Sequence, residues 1–120
     1  MLTLLYCQAK PPVVTLSSRT LTIENLFYGQ TYPLSEVKGV ELLSSLPPIR
    51  LRTNGYAAGG TLRGWFSVDR LGHGKLFVEV GRPPYVAVIL REGFVLINYA
   101  EPDETRRLYA GLRAAIAQRE

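Results

Sequence analysis

Residues 51–66, LRTNGYAAGGTLRGWF, place four glycines and two arginines between apolar runs. Read as a phosphate loop, the stretch would make the chain a nucleotide-dependent enzyme; read as a turn, it joins two strands. A phosphate loop of the Walker type needs Gly-x4-Gly-Lys-Ser/Thr opening a helix, so that backbone N–H groups and the lysine surround the phosphates. No Lys-Ser/Thr pair is present here, and TLRGWFSV, which follows, alternates with the period of a strand. A dinucleotide fingerprint must sit between a strand and a helix of a parallel unit, and that context is missing as well. The stretch is therefore predicted to be a glycine-rich hairpin loop. Gly55, Gly59 and Gly60 would supply positive φ, and Gly64 would mark a bulge or a bend of the sheet.

Working outward, period two dominates from Leu2 to Asn98 in short runs broken by turn residues. IRLRTN precedes the loop, with Ile49, Leu51 and Thr53 expected on one face and Arg50 and Arg52 on the other. After TLRGWFSV come a polar tip DRLGHGK, then KLFVEVG, then YVAVILR and FVLIN joined by a turn at Glu92-Gly93. Upstream, TLTIEN alternates, LFYGQTYPL reads as two short strands around Gly29, and Ser35-Glu36 can cap one helical turn before VKGVELL. Residues 1–9 are expected to form a leading strand or extension, with Cys7 a small apolar side chain in it.

The pattern changes at Ala100. AEPDETRRLYAGLRAAIAQRE has Pro102 at a first helical position, acids in the first turn and arginines further on. Leu108, Leu112 and Ile116 recur every four residues and form one apolar stripe, so an amphipathic helix is expected over residues 100–118. Many strands followed by one such helix suggest a small barrel stoppered by the helix, because closure removes exposed sheet edges.

At 120 residues the chain is read as one domain, residues 1–120, long enough to bury a core without disulfides or metals. An apolar fraction of 47% excludes a disordered chain. The net charge of +4 is scattered, whereas a nucleic-acid binder would concentrate it on one element, so no nucleic-acid partner is expected. One cysteine excludes an internal disulfide and suits a reducing compartment. No apolar run approaches the ~20 residues that span a bilayer, and the first residues lack a basic region and a small-residue cleavage site. A cytoplasmic location follows, with the cytoplasmic face of the membrane as the alternative.

Taken in order, KPP (10–12), LFYGQTYPLSEV (26–37), LPPIRLRTNGYAAGG (46–60), GWF (64–66), GKLFV (74–78), PPYVAVIL (83–90), GFVLIN (93–98) and DETRRLY (103–109) resemble a bacterial pleckstrin-homology-like (PH-like) domain. The resemblance runs from about Lys10 to Leu112. It implies a mainly β fold: a strongly bent antiparallel barrel of about seven strands with a C-terminal α-helix across one end. Members of this family occur alone or beside membrane-spanning segments, and the resemblance brings no catalytic residues with it.

Three groups of residues are candidates for binding. If alternation holds on both sides of the glycine loop, Arg50, Arg52 and Arg63 surround Trp65 on an outward patch, the residue types favoured at binding hot spots. The competing reading, which we prefer, has a bulge at Gly64 that turns Trp65 into the core, because an exposed tryptophan is costly without a partner. Arg70, His73 and Lys75 would form a basic tip able to touch anionic lipid, each residue adding about 1 kcal/mol near a charged membrane. Eukaryotic PH domains use a denser basic cluster at the first hairpin, where TLSSRTL offers only Arg19. Lastly, YVAVIL and FVLIN are apolar on both faces. Tyr85, Ala87, Ile89, Val95 and Ile97 would form an oligomer interface, unless the helix and loops cover them.

One histidine and one cysteine, far apart, argue neither a nucleophile–base pair nor a metal site, so no enzymatic activity, metal or cofactor is expected. The expected function is a non-enzymatic binding or assembly module that associates with itself or with a protein partner. The alternative is a peripheral membrane-surface domain.

Overall fold

Residues 12–25 and 28–118 are described in a computed structural model. In chain order the strands are β1 (Val13–Leu16), β2 (Thr20–Glu24), β3 (Gln30–Pro33), β4 (Val37–Leu43), β5 (Ile49–Ala58), β6 (Thr61–Val68), β7 (Gly72–Glu79), β8 (Tyr85–Leu90) and β9 (Phe94–Ile97), followed by the helix α1 (Pro102–Gln118). The glycine-rich stretch is a hairpin: Gly59 and Gly60, at φ +59° and +84°, join β5 to β6 with Ala58 opposite Thr61. Ser35 and Glu36 lie in a single 3₁₀ turn, Leu34–Glu36, ahead of β4. The leading strand expected over residues 1–9, and Cys7 with it, fall outside the described residues.

The fold is mainly β, with nine strands in two sheets among the described residues. β1, β2 and β3 form an antiparallel meander, and the larger sheet has the order β4-β8-β9-β7-β6-β5. About seven strands, all antiparallel, were expected. The larger sheet instead contains a parallel pair, β7 with β9, with Lys75 opposite Val95 and Phe77 opposite Ile97. It arises because β8 and β9 form a hairpin that enters the sheet through β9. No ladder joins β4 to β5, so the larger sheet is not closed.

It is nevertheless strongly curled, for a reason of length. β4 and β5 are its two edges, yet only residues 44–48 separate them in the chain. On a flat sheet the edges would be about 24 Å apart across five strand spacings. The ladders also set Leu43 level with Leu62, whereas Ile49 is opposite Val68, about 20 Å further along the strand. Six residue steps reach only about 20 Å. The two edges must therefore swing toward each other.

Two cores result. Val86, Val88, Val95, Ile97 and Phe77 pack with Leu21, Ile23 and Tyr32 of the small sheet and with Leu112 of α1. On the opposite face, Phe66, Leu76, Val78, Ala87, Phe94 and Leu96 form a second cluster drawn only from the larger sheet and its connections, as a curled sheet requires. The predicted stripe of α1 is in contact with the first core: Leu112 is fully buried, and Leu108 and Ile116 pack beside it. Thr105, also buried, accepts the Tyr99 N–H at 2.9 Å and pins the start of the helix to the strand before it.

Candidate functional site

The ladder between β6 and β7 runs without a break from Thr61–Glu79 to Val68–Gly72. Gly64, at φ +108°, therefore does not flip the register. It packs too closely on β5 for any side chain, since a Cβ there would lie 2.7 Å from the Asn54 carbonyl. Arg63 and Trp65 thus share the face opposite Phe66, as strict alternation requires. The irregularities lie in β5 instead, between Ile49 and Leu51 and between Arg52 and Asn54. They pair Arg52 with Phe66, on the far side of the sheet from Trp65. Arg50 turns to Asp69, an exposed ion pair at 2.9 Å. Arg63 is 1% exposed and binds the carboxylate of Glu79 at 3.1 Å and the Leu62 carbonyl at 2.9 Å. The expected outward patch of three arginines around a tryptophan does not assemble, because β5 is bulged and Arg63 is interior.

What forms around half-buried Trp65 is different. The His73 ring stacks on the indole, with centroids 5.0 Å apart and planes 14° from parallel, and His73 Nε2 shares a hydrogen bond with the Thr53 hydroxyl at 2.9 Å. The Lys75 ammonium lies 5.1 Å from the indole centroid and 5.9 Å from that of Tyr32. It donates to the Tyr28 carbonyl at 3.0 Å and to Gln30 Oε1 at 2.8 Å. Lys75 is only 6% exposed. Burial pushes its ammonium below the ordinary lysine value, because the charged form is desolvated. Among the described residues no carboxylate lies within ion-pair distance of it.

The expected basic tip is accordingly reduced. Arg70 is exposed in the turn between β6 and β7, but His73 leans on Trp65 and Lys75 is buried at the base of a cleft, so the three do not form one exposed tip. The expected oligomer surface is likewise covered within the chain. Tyr85, Ala87, Val95 and Ile97 are buried, and Ile89 packs beside the second core. β8 and β9 lie inside the larger sheet, with the small sheet and helix on one face and the sheet's own curl on the other.

Lys75, Trp65, Tyr32 and Gln30 line a cleft of about 430 Å³, together with Leu90, Phe94 and the turn Arg91–Gly93. On its rim Arg91 pairs with Glu36 at 3.4 Å. Sequence reading missed Gln30, Tyr32 and Glu79 as partners of these cations, since they lie on other strands. One signal was present: in GKLFVEV, Lys75 and Phe77 share a strand face, which puts a lysine on the side of a core phenylalanine.

A second surface is the outer edge of β5. It is the longest strand described, ten residues, and the first six side chains are exposed, Leu51 to 59%. Beyond its ladder with β6, the main chain of β5 makes no backbone hydrogen bond among the described residues. No group of three His, Cys, Asp or Glu side chains among the described residues is placed to hold a metal ion, and no described helix is long and apolar enough to cross a membrane.

No protein-family model, curated protein or solved structure matches the chain.

Proposed function

We propose that the chain is a non-catalytic binding or assembly module with a PH-like bent barrel, open along the seam between β4 and β5. It associates with a protein strand, supplied by a second copy or by another protein, along the outer edge of β5. The observation that carries this reading is the length and exposure of that edge. Unpaired main-chain N–H and C=O groups in a row form a template for strand addition, and side chains beside them set specificity. The two irregularities in β5 fall between Ile49 and Asn54, which leaves Asn54–Ala58 as the regular register for a partner. Leu51 and Ile49 supply exposed apolar area next to it, and Arg52 a charge.

Size-exclusion chromatography with light scattering, on the wild type and on Leu51→Lys and Ala57→Pro variants, tests this. Association that the wild type shows and both variants lose supports strand addition. A wild type that is strictly monomeric and takes no strand peptide removes it.

A further inference from the structure

We infer that the cleft over Lys75 is a binding site for the carboxylate of a small organic acid or of a peptide chain end, with the Lys75 ammonium as its anion-binding group. This does not rest on strand addition at β5, which lies elsewhere on the sheet.

An ammonium has three N–H donors. Two of those on Lys75 go to uncharged oxygens, the Tyr28 carbonyl and the Gln30 amide, and the third has no partner among the described residues. Trp65 and Tyr32 add the negative faces of two rings, which steady a cation without neutralising it. A buried cation held only by neutral groups is under-compensated, because the interior offers none of the solvation it gave up. An anionic oxygen at this point supplies both the missing acceptor and the missing charge.

The surroundings select the kind of anion. Arg91 is already paired with Glu36, and Glu92 adds a second negative group on the lining, so among the described residues that line the cleft Lys75 is the cation without a carboxylate partner. A monoanion balances it, whereas a phosphate dianion would leave excess negative charge beside two carboxylates. Leu90, Phe94 and Trp65 give the ligand body an apolar wall, and about 430 Å³ accommodates a small organic acid or a terminal side chain.

Trp65 is the only tryptophan, so its fluorescence reports on the cleft directly. Benzoate is expected to change it saturably in the millimolar range or tighter, while benzyl alcohol and inorganic phosphate bind at least tenfold more weakly. Lys75→Met should abolish benzoate binding. Glu92→Gln, at an exposed turn, should tighten it about twofold to threefold, and decides the matter should Lys75→Met fail to fold. An apolar tripeptide with a free C-terminus, compared with its amidated form, tells a chain end from a free acid as the source. No saturable benzoate signal in the wild type overturns the inference. So does equal binding of benzyl alcohol, or benzoate binding that Lys75→Met leaves intact.

Discussion

Arg63 and Glu79 meet across the ladder of β6 and β7, guanidinium to carboxylate at 3.1 Å, with the arginine side chain 1% and the glutamate 25% exposed. The Thr61 hydroxyl donates to the same carboxylate at 2.9 Å. The Asn98 side chain accepts from the Glu79 main-chain N–H and donates to its carbonyl, at 2.7 and 3.0 Å. Burial pushes the Arg63 guanidinium below its ordinary value and Glu79 pulls it partly back.

Removing one member of such a pair leaves the other desolvated. Glu79→Ala is expected to cost about 3 kcal/mol in urea unfolding, whereas an Arg63→Leu, Glu79→Leu double variant recovers part of that loss because it buries no charge. A Glu79→Ala loss under about 1 kcal/mol would mean that Arg63 is solvated after all.

The alkaline limb of stability follows from groups of opposite sign: Lys75 on one side, and on the other Tyr32 together with Tyr99, which burial and then Glu104 also push up. Lys75, lowered by burial, binds its proton less tightly folded than unfolded. Between its folded value and its ordinary 10.5 the unfolded chain holds more protons, so this term raises stability as pH rises. Tyr32 is pushed by burial to about 12 from 10.0. Between those values the unfolded chain loses the proton first, so stability falls as pH rises from 10 to 12. Tyr32→Phe should shift the alkaline unfolding midpoint upward, and Lys75→Met should flatten the rise below pH 10.5. Circular dichroism across pH 7–12 reads both.

Leu112 is the fully buried member of the helix stripe. Leu112→Ala should cost about 3 kcal/mol through lost burial and the cavity left behind. Thermal scans should then show Tm falling by roughly 10–15 °C. A loss below about 1 kcal/mol would mean that the helix contributes little to the first core.

Ala87 discriminates between an interior and a surface assignment of β8. It is fully buried in the second core, so Ala87→Leu should overpack the curl and cost about 1–3 kcal/mol in the isolated chain. Leu51→Lys, on the exposed edge of β5, should stay within about 0.5 kcal/mol of wild type. Paired urea titrations separate the two, and a neutral Ala87→Leu would return β8 to the surface.

Strand content, the hairpin at Gly59-Gly60 and the helix stripe were legible in the sequence because each is a local property: alternation, positive φ or four-residue spacing. The parallel pairing of β7 with β9 was not, since alternation says which face a residue takes and nothing about which strand lies beside it. Arg52 was misplaced for a related reason, as one extra residue in β5 reverses every later face and leaves no mark in the sequence. Lys75 shows the converse. Its alternation with Phe77 was readable, but a lysine in a loop-flanked strand invites assignment to solvent, and only the partners from β3 and the turn before it make it interior.

The order of the larger sheet also bears on synthesis. Among the described residues β4 pairs with no strand but β8, with Val37 opposite Leu90 and Leu43 opposite Tyr85. On the ribosome β4 emerges well before the strand that will satisfy it, while β5, β6 and β7 can zip together as successive hairpins. β4 must therefore wait, although β1, β2 and β3 can pair among themselves, and the distant β4–β8 pairing is the step expected to set the pace of folding.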